Sequence, residues 1–496
     1  MVLGIDLGTT YSVGAYVDKE GIPQIIDNSE GTKITPSVVL FDGEQDIVVG
    51  DIAKENAVIR SDDVVSVVKR YMGQQVVLKE RGGQEYTPEM ISSFILRKVI
   101  QDAEHAVGEK VTNAVITVPA YFTDAQRKAT EDAAALAGIS LLGTINEPTA
   151  AALCYIHKHK IKNGNMLIYD LGGGTFDVTI LQVKDSKIEV LATSGLSSAG
   201  GRFFDQYIVD YVNEYMSDKH DIDLEEEEYA DELQELYIKA ENAKMQLSSR
   251  NSATIVLKIG KIKEQVVITK EQFEGMIKKL YVRTENKMKE ALKEANLSPQ
   301  QIDKVLLVGG SSRIPYISEN IQNFIGKEPS REVNPDEAVA IGAALYAEMN
   351  VREGKNDIFT DVCSHSIGVV VQNDKGEREN NIIIKRNSVI PVESQQRFRT
   401  IVANQKRISL RITEGEYKEL TDVKILGTFT VDLPTGLKER ELVIIKISLD
   451  QNQLIHITLA LPEVQFEKEY QLKRVSNMDE ETVKNVTEIL MDYKIS

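Results

Sequence analysis

Ile5-Asp6-Leu7-Gly8-Thr9-Thr10 and Tyr169-Asp170-Leu171-Gly172-Gly173-Gly174-Thr175 are two versions of one turn. In each, an apolar strand ends in an aspartate, turns on glycine and leaves on threonine. One such turn fits a simple hairpin. Two of them, about 160 residues apart, predict a duplicated fold that holds a phosphate chain between related lobes. The aspartates offer carboxylates to a hydrated cation. The glycines let backbone N–H groups approach phosphate oxygens, and the threonines add hydroxyl donors.

Working outward, 496 residues accommodate two or three domains, each able to bury a core. With 42% hydrophobic and 27% charged residues the composition is that of a soluble globular protein. The net charge of −18 and the lack of a basic patch argue against nucleic acid as a partner. The acidic run Glu225 to Glu228 reads as a solvated first turn of a helix. Cys154 and Cys363 make neither a metal pattern nor a disulfide framework, so a reducing compartment is expected. Without a signal segment or membrane-length apolar run, the expectation is a cytoplasmic protein with no membrane partner.

Up to about Ala347 strands alternate with helices, as in an α/β core. Val111 to Val118 reads as a strand, Thr123 opens a helix ending near Gly138, Asn163 to Val183 is a hairpin, and Tyr229 to Leu247 is a periodic helix. From about residue 363 short alternating runs take over, including Leu442 to Leu449 and Leu454 to Leu461 around an Asp450-Gln451-Asn452-Gln453 turn. The expected division is an α/β region at 1–355, a linker at 356–362, an antiparallel β domain at 363–477 and a short C-terminal helix at 478–496. The linker contains Ile358 and Phe359, which suits docking better than free movement.

Asp6 and Asp170 are candidates to hold Mg²⁺ through water, since that ion dehydrates reluctantly and prefers oxygen ligands beside phosphates. The plainer reading is two aspartates capping turns. Gly309-Gly310-Ser311-Ser312-Arg313 is a third glycine turn, which would pack on adenine or ribose with Arg313 stacking on the base, or be an ordinary strand–helix turn. Glu241, Lys244 and Ser248 share a helix face that suits ribose and purine, or solvent. Lys69 ends an apolar run and Glu147 precedes the proline of a helix start; either also has a plain structural role.

Asp6 to Thr10, Ala114 to Phe122 (AVITVPAYF), Ile145 to Ala152 (INEPTAAA), Asp170 to Asp177 (DLGGGTFD), Leu306 to Pro315 (LLVGGSSRIP) and Val333 to Ala344 (VNPDEAVAIGAA) together resemble the 70-kDa heat-shock chaperone family, the DnaK type. The resemblance implies an actin-like, ribonuclease H-like duplicated ATPase domain followed by a peptide-binding β-sandwich. It implies that Thr9, Thr10, Tyr11, Gly172, Gly173 and Gly174 contact the phosphates of ATP or ADP. Asp6, Asp170 and Asp177 then hold Mg²⁺ or nearby ions such as K⁺. Lys69 faces the γ-phosphate, Glu147 positions the attacking water and Thr175 approaches the γ-phosphate, while Gly201, Glu241, Lys244, Ser248, Gly309, Gly310, Ser311, Arg313 and Asp336 surround the nucleoside. Positioning plus electrostatics is what phosphoryl transfer needs. Pro119 and Arg127 match a pair that relays nucleotide state to the linker. Val369, Phe398, Ile401 and Ile408 align roughly with the peptide pocket, or are sandwich core. The implied partners are extended segments of unfolded clients, a J-domain cochaperone and a nucleotide-exchange factor, in protein folding and stress response.

The chain departs from the family pattern in several places. The long helical lid is missing, leaving Asp479 to Tyr493 as a stub. The linker reads Asp357-Ile358-Phe359-Thr360-Asp361 where the family usually has an unbroken Leu-rich run, and Thr360 weakens its expected docking. Gly200-Gly201-Arg202-Phe203-Phe204-Asp205 replaces a Gly-Gly-Glu-Asp-Phe-Asp wall, Gly143 stands where an arginine serves J-domain recognition, and Met245 replaces a basic residue near adenine. Competing readings are an ATP-binding regulator or scaffold with weakened coupling, a sugar-kinase-like phosphotransferase, and an actin-like filament protein.

Overall fold

The computed structural model describes residues 1–496 except 354–358, 374, 451–452 and 473–476. Ile358 of the linker, Gln451 and Asn452 of the hairpin turn and the start of the linker therefore lie outside the described residues.

The first lobe is built on strands β1 (Val2–Leu7), β2 (Tyr11–Val17), β3 (Asn113–Val118) and β4 (Ser140–Asn146), with helices α1 (Pro88–Val107), α2 (Asp124–Leu136) and α3 (Glu147–His159). Strand β1 pairs antiparallel with β2 and parallel with β3, and β3 continues parallel to β4. The second lobe uses β5 (Asn163–Leu171), β6 (Phe176–Lys184), β7 (Lys187–Leu196) and β8 (Lys304–Val308), with α4 (Gly201–His220), α5 (Ala230–Leu247) and α6 (Lys270–Glu294). Here β5 pairs antiparallel with β6 and parallel with β8, and β7 follows β6 antiparallel. Each Asp-Gly turn thus leaves a central strand that has a hairpin partner on one side and a later strand on the other. The repeat in the sequence is a repeat in topology. Nearly continuous apolar runs make these strands, as expected of sheets covered on both faces.

Between the lobes runs α7 (Ala338–Glu353), whose Ala-rich face crosses α3 and β1 at backbone contact. A methyl on Gly342 would stand 1.8 Å from the Ala150 carbonyl oxygen, and one on Gly4 would stand 2.1 Å from the Ala344 nitrogen. Both neighbours are backbone, so no rotamer change relieves the clash. Gly342→Ala is expected to cost at least about 1–3 kcal/mol through overpacking, read as a lowered thermal midpoint of the full chain. An unchanged midpoint would mean that the helix crossing can open.

Beyond α7, the two linker residues Phe359–Thr360 form β9, which extends the second-lobe sheet by pairing parallel with β7, Ile188 opposite Phe359 and Glu189 opposite Thr360. The Phe359 ring stacks edge-on to Tyr346, centroids 6.4 Å apart. Thr360 therefore does not prevent docking, contrary to the expectation from its polarity: its backbone, not its side chain, makes the ladder.

Two four-stranded sheets follow. One holds β10 (Ile367–Gln372), β11 (Arg378–Ile384), β13 (Arg407–Glu414) and β14 (Lys424–Asp432), after β12 (Val392–Arg399), which belongs to the other sheet with β15 (Leu442–Leu449), β16 (Ile455–Leu461) and β17 (Phe466–Leu472). Their inward residues, such as Ile412, Ile447 and Leu459, make one core. This sandwich lies against both lobes. Arg386 pairs with Glu290 and Glu294 of α6, the Thr193 N–H donates to Asn387 at 3.0 Å, and the His365 ring lies edge-on to Tyr121 at 4.3 Å.

The last helix is α8 (Glu480–Met491), short as expected. It packs on α2 of the first lobe, and β18 (Lys494–Ile495) joins the edge strand Asp46–Val49 in parallel. Leu490 and Tyr493 enter the first-lobe core. Val486 and Leu490 share the apolar face of α8, and the buried Arg97 on α1 donates to the Leu490 and Tyr493 carbonyl oxygens, satisfying acceptors that a helix C-terminus otherwise leaves bare. No helix among the described residues is long and apolar enough to cross a membrane.

Candidate functional site

Both Asp-Gly turns open into one cavity of about 520 Å³ between the lobes. Every nucleotide-site residue expected from the sequence lines it except Gly174 and Asp177. Asp177 lies just behind, on β6 in register with Asp170 of β5.

Lys69 is not at a strand end. The short strand Val64–Ser66 stops at Val67, whose left-handed φ of 54° is costly for a β-branched residue, and Lys69 follows on a 3-10 turn, Val68–Tyr71. This turn drives its ammonium into the cleft, 2.5 Å from Oε1 of Glu147 at the first position of α3. Asn146 holds the N-cap position of that helix without a side-chain capping hydrogen bond, and Pro148 fixes its first turn. Around the one ammonium stand the carboxyls of Asp6, Asp170, Asp177 and Glu147. Burial first, then Glu147, pushes Asp6 up to about 7, although Lys69 and the Thr117 hydroxyl pull the other way. Burial and then Glu147 also raise Asp177 to about 7. Asp170 rises well above the usual carboxylate range for the same reasons, with Asp177 and Asp6 adding to it.

Such crowding is the signature of a place that wants positive charge. Among the described residues no three acidic, histidine or cysteine side chains are close enough to grip a metal directly. The donor set therefore fits a cation that keeps its water shell and meets the protein through it, as Mg²⁺ beside phosphates does.

The wall formed by the glycine turns is backbone. A methyl on Gly173 would overlap the Thr10 hydroxyl oxygen at 2.0 Å, and Gly309, at φ 78°, would meet the Leu171 carbonyl oxygen at 2.4 Å. Only glycine lets the three turns nest. The Gly201 and Arg202 N–H groups donate to Gly172 and Gly173, each at 2.9 Å, and the Ser311 hydroxyl donates to Gly172 at 2.9 Å.

At the nucleoside end Glu241 pairs with Lys54 at 2.7 Å, and Lys54 also donates to the Tyr11 hydroxyl at 3.1 Å. This ion pair joins the lobes across the cleft. Sequence reasoning missed Lys54, which sits in a short helix without a motif. Lys244 pairs with Asp205 at 2.8 Å, and Arg313 with Asp336 at 2.6 Å. Arg202 lines the cavity, and Phe203 lies under the Arg70 guanidinium at 5.3 Å, a second link between lobes. Met245 lies exposed at the rim.

Behind the site, Arg127 donates to Asn146 at 2.8 Å, and Asn146 donates to the linker carboxylate Asp361 at 2.9 Å. Asp361 is buried, which raises it to about 6. The residue beside Glu147 is therefore hydrogen-bonded to the linker.

Three of the four β-domain residues expected to line a peptide pocket, Val369, Phe398 and Ile408, pack into one cluster. Val369 is wholly enclosed in the sandwich core and cannot touch a ligand in this arrangement, because the alternation of β10 turns it inward. Phe398 and Ile408 are half-buried against the same core, and Ile401 is 63% exposed on a turn.

Residues 2–495 match the family model described as Hsp70 protein. The chain belongs to the Hsp70 family. It is 40% identical over 468 residues to the "Chaperone protein DnaK" of Thermosipho melanesiensis, a match covering 92% of this chain and 77% of that one. The chaperone of the same name from Thermosipho africanus gives the same identity and coverage. That of Thermotoga neapolitana is 39% identical over 469 residues, covering 92% and 78%.

Proposed function

We propose that this Hsp70 protein couples ATP hydrolysis between its lobes to the capture of extended apolar segments by its β-sandwich. It is an ATP-dependent molecular chaperone and an ATPase. Residues 1–355 serve as the actin-like nucleotide domain and 363–477 as the peptide-binding domain. The observation that carries the reading is the buried Lys69–Glu147 pair at the meeting of both Asp-Gly turns, one residue from the Asn146–Asp361 hydrogen bond.

In this reading Thr9, Thr10 and the Gly172–Gly174 turn hold the phosphates, and Lys69 neutralises charge building on the γ-phosphoryl group. Glu147 orients the attacking water. Mg²⁺, held through water by Asp6 and Asp170, supplies further charge neutralisation on the phosphates, with K⁺ a second candidate ion. Glu241, Lys244, Ser248, Arg313 and Asp336 seat the nucleoside. A change at Glu147 shifts Asn146, and so the purchase of the linker on the lobes. A J-domain cochaperone and an exchange factor complete the cycle; Gly143, with φ 149° and open space around it, offers no side chain to the former.

Single-turnover ATP hydrolysis with and without an extended apolar peptide tests the coupling. Peptide is expected to accelerate hydrolysis several-fold, and ATP to speed release of bound peptide. Hydrolysis that ignores peptide, together with peptide binding that ignores ATP, would refute it and favour the regulator reading.

A further inference from the structure

A second chamber, of about 410 Å³, lies on the far side of the catalytic residues from the nucleoside. It shares Thr9, Lys69 and Thr175 with the nucleotide cavity, so these three side chains form the partition between the two. Its walls come from three parts of the molecule. The first lobe gives Arg70 and the turn before α2, the second lobe gives Ser197 and Ser198 after β7, and the β-sandwich gives Lys424 of β14. Lys424 stands opposite Glu414 in the ladder, and Glu414 accepts from the Asp124 N–H at the start of α2 at 3.4 Å. The sandwich therefore brings Lys424 to the mouth of the chamber only when it is docked.

The lining is chemically biased. It presents the cations Lys69, Arg70 and Lys424 and the hydroxyls of Thr9, Thr123, Thr175, Ser197 and Ser198. Lys69 is paired with Glu147, whereas Arg70 and Lys424 make no ion pair within 4 Å among the described residues. Asp177 is the one carboxylate in the wall, held by the Tyr121 N–H at 3.0 Å and raised to about 7 by burial. Cations and hydroxyls around a space of this size, set against apolar walls from Met72, Phe122 and Leu196, suit a small tetrahedral oxyanion with part of its hydration, given that a water occupies roughly 30 Å³ in the liquid.

We propose that this chamber is an orthophosphate site, through which the phosphate cleaved from ATP passes Lys69 and Thr175 and leaves on the side away from the nucleoside, with Lys424 of the docked β-sandwich holding it at the exit. Phosphate release is then separable from nucleotide release, and its rate depends on where the β domain sits. The proposal rests on the ATPase reading above.

The test uses the full chain in single turnover with two readouts, acid-quenched hydrolysis and a fluorescent phosphate-binding sensor for release. Lys424→Gln removes a cation from one domain, and Ser197→Asp adds a carboxylate from another. Each is expected to leave the quenched rate near that of the parent chain and to speed phosphate release at least about threefold, with Lys424→Arg restoring the parent value. Titrating inorganic phosphate onto the ADP-bound chain is expected to show saturable thermal stabilisation whose half-point rises at least threefold in both variants. This arm separates phosphate taken from solution from phosphate made in the cleft. Release and phosphate affinity unchanged in both variants, with hydrolysis normal, would overturn the exit site. Hydrolysis absent from the parent chain would instead overturn the ATPase reading itself.

Discussion

Lys69→Ala is expected to lower single-turnover hydrolysis by about 10³-fold while ATP remains bound. Among the described residues Lys69 is the one ammonium set among the carboxyls of Asp6, Asp170, Asp177 and Glu147, and its 2.5 Å partner Glu147 is the residue proposed to orient water. Phosphoryl transfer draws its rate from positioned charge, and loss of one such group typically costs 10²–10³-fold, more where it faces the transferring phosphoryl group. Binding survives because the nucleoside end, with Glu241, Lys244 and Arg313, and the glycine wall do not use this side chain. Rapid quench gives the rate, and a filter or fluorescence assay gives the affinity. A variant that still hydrolyses ATP within tenfold of the parent rate would show that Lys69 is only a counter-ion to Glu147. The same change leaves Glu147 buried without its partner, so the nucleotide-free fold loses stability as well, by about 3–5 kcal/mol on the usual scale for broken buried pairs. Comparing thermal midpoints with and without nucleotide separates the two effects.

Tyr493→Ala is expected to cost about 3–5 kcal/mol of first-lobe stability, the range for truncating a buried aromatic. The ring is buried, 5.6 Å from Phe94 and 6.4 Å from Tyr86, and its hydroxyl shares a 2.7 Å hydrogen bond with that of Tyr86. Tyr493→Phe removes the hydroxyl alone and is expected to cost about 1 kcal/mol. Amide hydrogen exchange along the Asp46–Val49 strand and α1 reads the loss locally, which suits a chain whose parts need not unfold as one. Equal effects of the two variants, or exchange confined to α8, would mean that the C-terminal segment rides on the lobe without supporting it.

The sequence made the lobes and most of the cleft legible, because strand-ending aspartates and glycine turns carry their own geometry. The capping box of Thr123 and Gln126 starts α2 where its sequence signal placed it. What was not legible depended on contacts between distant segments. Lys54 reaches Glu241 and Tyr11 across the cleft, and nothing local to it signals this. Lys69 needed the left-handed turn at Val67, which its residue type disfavours. In the β region a period-2 pattern shows that strands alternate but not which side faces a ligand, so Val369 proved to be core. The strand Val392–Arg399, with Ser394 and Gln396 at two of its four half-buried positions, carries only a weak hydrophobic signal. The short C-terminal helix was legible, but its seat on the first lobe is set by Arg97 and Tyr86, about 400 residues earlier.

The β-sandwich is moored at both ends to different halves of the nucleotide body. Phe359–Thr360 ties its leading end to β7 of the second lobe, and Lys494–Ile495 ties the segment that follows it to the Asp46–Val49 edge of the first. A domain hung from a single cord can drift away from its neighbour without straining it. A domain strung between two anchors cannot, because the second anchor keeps its local concentration at the body high even when the first lets go. Rotation of one lobe against the other must then reach the sandwich as shear across its two moorings. Such a domain works as a strain gauge spanning the cleft: it registers the angle between the lobes rather than the state of either lobe alone.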